Sequence, residues 1–280
     1  MIMKLIKCEQ FDQERALYGS NNLKIDNCSF KGEKDGESAL KEAKMIFITN
    51  SLFDLRYPLW HNDYLTIKNS KMTINCRAAI WYSNNIKIDN SNLHGIKAIR
   101  ECLNVEINNS EIISSEFGWF SKNININDSA ITSEYAFLKS DTLKVKNIKF
   151  SGKYSFQYIK NAIFENCIFD TKDAFWHGEN IIVKNSIIKG EYLAWYSNNI
   201  TFEKCKIIGT QPLCYCKKLK LIDCEMIDTD LSFEKSEVEA DINSNIMSVK
   251  NPICGYINAP KIDEIILDEP SSCKITKTTN

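Results

Sequence analysis

Apolar residues recur along most of this chain in a unit that repeats about every nineteen positions. Each copy has one anchor position, with apolar residues four and two before it and another three after it. In the copy Asn84–Leu93 the anchor is Asn90, and the apolar residues are Ile86, Ile88 and Leu93. Polar residues fill the positions between, and this alternation predicts a short strand. The anchors are Asn27, Asn50, Asn69, Asn90, Asn109, Asp128, Asn147, Asn166, Asn185, Lys204 and Asp223.

The spacing of these anchors predicts a solenoid, because their successive differences are 23, 19, 21 and then seven times 19 residues. The consensus of a leucine-rich repeat is absent, and so is the six-residue rhythm of a left-handed hexapeptide helix. We therefore predict an all-β protein, a right-handed parallel β-helix of about 11–13 coils with roughly 19 residues and three short strands in each coil.

Three columns of the repeat have the character of scaffold. Asn at the anchor suits a corner with left-handed backbone, and stacked Asn side chains can bond to one another along the column. The position after the anchor is Ser or Cys in ten copies, which indicates a tight corner. A second Asn column lies five before the anchor and contains Asn22, Asn85, Asn104, Asn123, Asn161, Asn180 and Asn199.

The repeat also predicts the organisation of the chain. Residues 1–280 are expected to form a single domain with an N-terminal cap at 1–16 and regular coils over 17–240. Irregular terminal coils are expected over 241–270, followed by a tail at 271–280 that frays. The anchor spacing places short insertions near residues 31–37 and 75–77.

Composition narrows the function classes. The formal net charge is -1 and basic residues form no runs, so no nucleic-acid partner is expected. No apolar stretch is long enough to span a membrane, and the start of the chain has no signal-peptide core, so we expect a cytoplasmic protein. The eleven cysteines fall mostly on repeat columns, which indicates reduced thiols that pack in the core. No metal and no cofactor are predicted. The oligomeric state is left open.

One side of the coil differs from scaffold. All five tryptophans lie nine positions before an anchor, and two of the three histidines, His61 and His177, lie in the next column. Arg56, Arg77 and Arg100 fall on the same side. Aromatic rings, Arg and carboxylates together suit the binding of sugars. The alternative is an aromatic ladder that only stabilises this face.

From this face we select candidate residues. Proton exchange is assigned to Glu42, Glu101 or His61, and anion binding to Arg100, Arg77 or Lys97. Glu42 and Glu101 are expected ~14 Å apart, too far for a glycosidase carboxylate pair. The candidate catalytic residues are Glu42, His61, Arg100 and Glu101. The candidate ligand-binding residues are Arg56, Trp60, Arg77, Trp81, Tyr82, Lys97, Trp119, Trp176, His177 and Trp195. A second cluster of the same make-up consists of Lys172, Asp173, Trp176, His177, Glu191, Trp195 and Tyr196.

Four phrases resemble a bacterial family catalogued as domain of unknown function 3737: Asp35–Glu42, Leu55–His61, Cys76–Ser83 and Gly209–Cys216. The resemblance covers nearly the whole chain and implies a right-handed β-helix of the pectin-lyase type. That broader class includes polysaccharide lyases, hydrolases, esterases and epimerases. The chain departs from their site patterns, since it has no Asp-Asp pair, no Gly-His-Gly and no stacked Asp cluster suited to calcium.

Two hypotheses follow. The chain is a carbohydrate-active enzyme, of lyase or glycoside hydrolase type, that acts on a sugar-derived small molecule through the aromatic face. Alternatively, it is a non-catalytic scaffold that uses this face to bind carbohydrate or another protein. The depth of the binding site distinguishes the two hypotheses, because an enzyme needs walls that exclude water from the reacting groups. The short insertions favour a shallow groove.

Overall fold

Short strands in parallel register build residues 3–32 and 37–277, which the computed structural model describes. The chain divides into two compact units, Met1–Thr142 and Leu143–Asn280, and each is a parallel β-solenoid. The described residues make about 14 turns of about 19 residues. This confirms the parallel β-helix predicted from the repeat. The prediction of a single domain over residues 1–280 stays a prediction.

The strands of the first unit are β1 (Lys4–Lys7), β2 (Gln10–Phe11), β3 (Asn21–Asp26), β4 (Ser29–Lys31), β5 (Lys44–Thr49), β6 (Leu52–Asp54), β7 (Asp63–Lys68), β8 (Lys71–Met72), β9 (Ile80–Trp81), β10 (Asn84–Asp89), β11 (Asn92–His94), β12 (Ile99–Arg100), β13 (Leu103–Asn108), β14 (Glu111–Ile113), β15 (Lys122–Asn127) and β16 (Ala130–Glu134). Strand β17 (Asp141–Lys146) contains the boundary.

The strands of the second unit are β18 (Lys149–Lys153), β19 (Lys160–Glu165), β20 (Ile168–Lys172), β21 (Glu179–Lys184), β22 (Ile187–Lys189), β23 (Asn198–Glu203), β24 (Lys206–Ile208), β25 (Lys217–Ile227), β26 (Glu237–Ile242), β27 (Ile246–Lys250), β28 (Cys254–Ala259), β29 (Ile262–Ile266) and β30 (Lys274–Lys277).

Equivalent positions of successive copies face each other in the ladder. Leu23 pairs with Ile46 and Ile25 with Ile48, and all four side chains are buried. The inward columns of the repeat therefore stack into a continuous apolar core within each unit. In the first unit the rings of Phe11, Phe30 and Phe53 stack with centroids 4.8 and 4.7 Å apart.

The third side of the coil differs from the prediction of a strand. It is mostly a run of turns, and within the described residues of the first unit the strands on it are β9 and β12. The reason is backbone conformation, since every second residue is left-handed, as in Tyr57, Leu59 and His61 with φ of 56°, 59° and 55°. With a left-handed residue at every second position, no run of extended residues is long enough to form a regular strand on this side.

The Asn columns behave as the sequence predicts. Anchor residues such as Asn69 and Asn90 have φ of 48° and 45°, and the Nδ2 of Asn90 donates to the Oδ1 of Asn69 at 2.8 Å. At the following position the backbone N–H of Ser70 donates to the hydroxyl of Ser91 at 3.1 Å. These side chains bond coil to coil, which confirms their role as scaffold.

The ends of the chain join the ladder. Within the expected cap, β1 pairs with β3 and β2 with β4, so the described residues of 1–16 already form a turn of the solenoid. Strand β30 pairs with β28, so the expected tail is paired through Lys277. These terminal strands account for a turn count above 11–13. Residues 33–36 of the first insertion and residues 278–280 of the tail lie outside the described residues. The described residues include no helix with the length and apolar character needed to cross a membrane.

Candidate functional site

The aromatic face lies on the turn-rich side of the coil, where every second residue is left-handed. Leu59 points into the core and is fully buried, whereas Trp60 is half-buried and His61 is exposed. Backbone bonds hold this arrangement, since the N–H of Leu59 donates to the carbonyl of Ala39 and that of His61 to the carbonyl of Trp81, both at 2.9 Å. The ladder therefore stabilises bulky residues at positive φ, which are unfavourable in isolation.

The tryptophan column of the first unit forms a stack that we call the indole stack: Lys41, Trp60, Trp81, Arg100 and Trp119. The rings of Trp60 and Trp81 are parallel, with centroids 5.1 Å apart. The guanidinium carbon of Arg100 lies 5.1 Å from the Trp81 ring and 5.6 Å from the Trp119 ring. The Nζ of Lys41 lies 5.5 Å from the Trp60 ring. Cations therefore cover indole faces that would otherwise be open to a ligand.

The indole N–H groups of this stack are also occupied. Trp60 donates to the carbonyl of Ala78 at 2.5 Å, and Trp81 donates to the carbonyl of Lys97 at 2.7 Å. The Trp119 N–H donates to the carbonyl of Tyr135. Each tryptophan is thus hydrogen-bonded to the backbone of the next coil. The main role of these side chains is therefore to stabilise the stacking of coils.

The neighbouring column contains the candidate proton-exchanging residues. The order Glu42, His61, Tyr82 and Glu101 follows from the backbone ladder, in which the N–H of Tyr82 bonds to the carbonyl of Arg100. His61 stacks on Tyr82 with centroids 5.1 Å apart. The structure therefore separates Glu42 from Glu101 by two aromatic side chains, as the sequence predicts. Glu42 instead hydrogen-bonds Tyr18, which raises the pKa of that phenol.

Arg100 and Glu101 converge on an open depression of about 560 Å³. They form an ion pair in which Nε of Arg100 donates to Oε1 of Glu101 at 3.2 Å. The Arg100 guanidinium also lies 5.2 Å from the centre of the Phe120 ring. We call this feature the Arg100 depression, and its lining residues are Arg100, Glu101, Cys102, Leu103, Phe120 and Lys122.

Three exposed lining residues, Phe120, Leu103 and Lys122, are not among those predicted from the sequence. Phe120 belongs to the same column as His61 and Glu101, so the column pattern was a signal for it. Leu103 and Lys122 begin strands beyond the corner. Nothing in the repeat distinguishes them from other strand residues, and only the fold brings them to Arg100.

Other predicted ligand-binding residues of the first unit lie outside the depression. Arg56 forms an ion pair with Glu37 at 3.4 Å, and Lys97 pairs with Glu116 at 3.2 Å. Arg77 is exposed beside the turn at residues 73–77. These cations share the face with Arg100 without joining it in one pocket.

The second unit repeats the stacking of tryptophan rings. The rings of Trp176 and Trp195 are parallel at 5.4 Å, and their N–H groups donate to the carbonyls of Tyr192 and Gln211 at 2.6 and 2.8 Å. A parallel, more exposed column follows at spacings of 4.6, 5.0 and 4.8 Å, made of Tyr158, His177, Tyr196 and Tyr215. His177 therefore has both ring faces covered.

Asp173 is the one aspartate of the described residues that is buried, with 4% of its surface exposed. Burial raises the pKa of its carboxyl, Lys172 opposes that rise, and Glu191 adds to it. Lys172 pairs with Glu191 at 2.7 Å. Asp173 thus forms a cluster of ionisable side chains with Lys172 and Glu191.

The described residues contain no group of three or more His, Cys, Asp or Glu side chains arranged to hold a metal ion. All eleven cysteines are free, and burial raises the pKa of Cys102, Cys214 and Cys216 to about 12 in each case. These thiols therefore stay protonated near neutral pH and serve as packing groups.

The sequence of this chain matches the model of one protein family. A family model described as "Protein of unknown function (DUF3737)" matches residues 4–279, so the chain belongs to that family. A comparison with curated protein sequences gives no match.

Solved structures similar to the chain are parallel β-helix proteins of differing function. PfbA, a surface adhesin of Streptococcus pneumoniae, matches with a TM-score of 0.52 at 11% identity, over 93% of this chain and 85% of that one. The periplasmic alginate epimerase AlgG matches with a TM-score of 0.39 at 11% identity, over 92% and 77%. The A-module of the Azotobacter vinelandii mannuronan C-5 epimerase AlgE6 matches with 0.39 at 8% identity, over 99% and 90%. At these identities the likeness describes the fold alone.

Proposed function

We propose that this protein binds acidic carbohydrate at the Arg100 depression and performs no reaction there. The observation that carries the proposal is the meeting of Arg100 and Lys122 with the exposed apolar side chains of Leu103 and Phe120 in one depression. Its volume of about 560 Å³ lies in the usual range of small-ligand sites. A sugar carboxylate pairs with the guanidinium while the C–H faces of the ring pack on Phe120 and Leu103.

Arg100 has donors left for such a ligand. Glu101 accepts from Nε and is the one residue of the described part that takes a hydrogen bond from this guanidinium. The Nη groups therefore remain available for a bidentate contact with a carboxylate. Arg100 and Lys122 are each paired with one carboxylate, Glu101 at 3.2 Å and Asp141 at 3.9 Å, so the preference for an anion rests on the unoccupied Nη donors of Arg100.

Binding is favoured over catalysis by the state of the carboxylates. Glu101 is paired with Arg100, Glu116 with Lys97, and Glu42 is separated from Glu101 by His61 and Tyr82. A depression open to solvent also lacks walls that exclude water from a reacting group. These features support the non-catalytic alternative for the first unit.

A carbohydrate-active enzyme is the second candidate, and Asp173 is the observation that favours it. A buried carboxyl with a raised pKa has the property required of a general acid. Glu191 adds a second carboxylate to that cluster. Product formation from an oligosaccharide panel, abolished by Asp173→Asn, would support this candidate over binding alone.

Calorimetric titration with oligogalacturonates and oligoalginates tests the binding proposal, with methyl-esterified forms as neutral counterparts. Tryptophan emission provides a second readout, because Trp81 and Trp119 flank Arg100. Arg100→Ala is expected to weaken binding of the acidic forms about 10- to 100-fold. Arg15→Ala, an exposed arginine outside the depression, is the matched control and is expected to bind as the parent does. Equal binding of acidic and esterified forms, or no effect of Arg100→Ala, would overturn the proposal.

A further inference from the structure

A second recess lies on the strand side of the coil in the first unit, across the outer face of β7, β10, β13 and β15. It encloses about 380 Å³, and we call it the amide groove. The residues that characterise it are Tyr64, Asn85, Lys87, Asn104, Glu106 and Asn123. None of them lines the Arg100 depression.

Backbone conformation forms this groove. The second residue of each strand is left-handed, with φ of 56° at Tyr64, 56° at Asn85, 58° at Asn104 and 58° at Asn123. Because the strands are in register, the four kinks align across the sheet. The same positions of the second unit, Asn199 and Lys218, line a recess of about 360 Å³ there, so the groove is a product of the repeat.

The floor of the groove is a chain of side-chain amides. Asn85 donates to Asp63 at 2.8 Å, Asn104 to Asn85 at 2.9 Å and Asn123 to Asn104 at 2.6 Å. An amide has two N–H donors and two acceptor lone pairs. Asn104 therefore keeps one donor and one acceptor beyond those the ladder uses, a combination that matches a hydroxyl group.

Tyr64 adds an aromatic surface at one end of the ladder. Its side chain takes the place of an Asn in the column and is 62% exposed, more than any other exposed tyrosine of the described residues. In contrast to the stacked tryptophans, Tyr64 has no ring contact with another residue of the described part. Exposed ring surface of Tyr64 is therefore available to the C–H groups of a sugar.

The groove is electrically balanced and has no free backbone edge. Lys87 pairs with Glu106 at 3.6 Å, so the floor favours neither anion nor cation. Strands β10 and β13 pair with a neighbour on each side, so an added peptide strand finds no unpaired N–H or C=O. We propose that the amide groove is a binding site for a neutral oligosaccharide that lies along the ladder, with Tyr64 stacking on one sugar ring.

Saturation-transfer NMR with neutral gluco-, manno- and galacto-hexaoses tests this site. Tyr64→Ala is expected to weaken binding about tenfold, whereas Tyr64→Phe retains it because the ring face remains. Asn104→Ala is expected to weaken binding as well, through loss of the central amide. Tyr196→Ala, which truncates an exposed tyrosine at a similar φ of 61° in the second unit, is the matched control.

Absence of saturation transfer from all three hexaoses, or equal binding by Tyr64→Ala and the parent, would overturn the proposal. The outcome is separable from that at the Arg100 depression. Tyr64→Ala is expected to lose neutral ligands while its affinity for acidic oligosaccharides is unchanged. Loss of both classes together would mean one shared site and would also contradict the inference.

Discussion

The indole ring of Trp60 lies parallel to that of Trp81, with centroids 5.1 Å apart and the ring planes 6° from parallel. Each ring covers one face of the other, and Lys41 and Arg100 cover the outer faces. A sugar therefore finds no open indole face in this part of the stack. The tryptophans shape the surface, and contact with a ligand falls to Arg100 and Phe120.

Replacing Trp81 by Phe is expected to lower stability and spare binding. The substitution keeps an aromatic ring in the stack but removes the N–H that donates to Lys97. Loss of this donor is expected to cost about 2 kcal/mol in the free energy of unfolding, measured by urea titration. Affinity for acidic oligosaccharides is expected to stay within about twofold of the parent. A tenfold loss of affinity would mean that the indole contacts the ligand directly.

Replacing Glu101 by Gln is expected to tighten acidic-ligand binding. Glu101 competes for the Arg100 guanidinium through their 3.2 Å ion pair. Removing its charge frees the guanidinium and raises the net positive charge of the depression, so affinity is expected to rise about threefold to tenfold. Calorimetric titration measures the change, and Glu116→Gln, at the separate pair with Lys97, serves as the control. A fall in affinity would assign Glu101 to ligand binding instead.

Asp173 is expected to make stability depend on pH. Burial raises the pKa of this carboxyl in the folded chain. Its contribution to stability is therefore complete below the ordinary Asp pKa of ~3.9 and is lost as pH rises through the folded-state value. The melting temperature of Asp173→Asn relative to the parent is expected to increase as pH is raised from acid to neutral. A relative melting temperature that falls over this range would show that the ionised carboxylate is stabilised in the folded protein.

Two glycines provide a test of close coil packing. A Cβ at Gly209, where φ is 128°, would lie 2.1 Å from the carbonyl oxygen of Gly190. Gly209→Ala is therefore expected to destabilise the protein by about 3 kcal/mol. Gly19 has φ of 63° and open space around its Cβ position, so Gly19→Ala is expected to cost only about 1 kcal/mol. Urea unfolding compares the two, and equal effects would contradict a steric origin.

Much of the scaffold was predictable because stacking repeats one local pattern. The anchor position of Asn69 and Asn90 could be assigned a left-handed corner with coil-to-coil bonds, since those properties belong to the residue type. The third side of the coil was less predictable. Its alternating left-handed residues include Leu59 and Tyr57, whose propensities argue against positive φ, and only the ladder bonds of neighbouring coils impose that conformation.

By itself, the sequence determined the parallel β-helix, the columns that stack, and the face on which the tryptophans and Arg100 lie, because a fixed repeat converts spacing along the chain into adjacency between coils. The tertiary structure decided which of those residues have atoms left for a ligand. Ring faces and N–H groups of the tryptophans are taken by neighbouring coils, whereas Arg100 retains free donors beside Phe120 and Lys122. Such availability depends on side-chain packing and hydrogen bonding in three dimensions, which residue spacing does not encode.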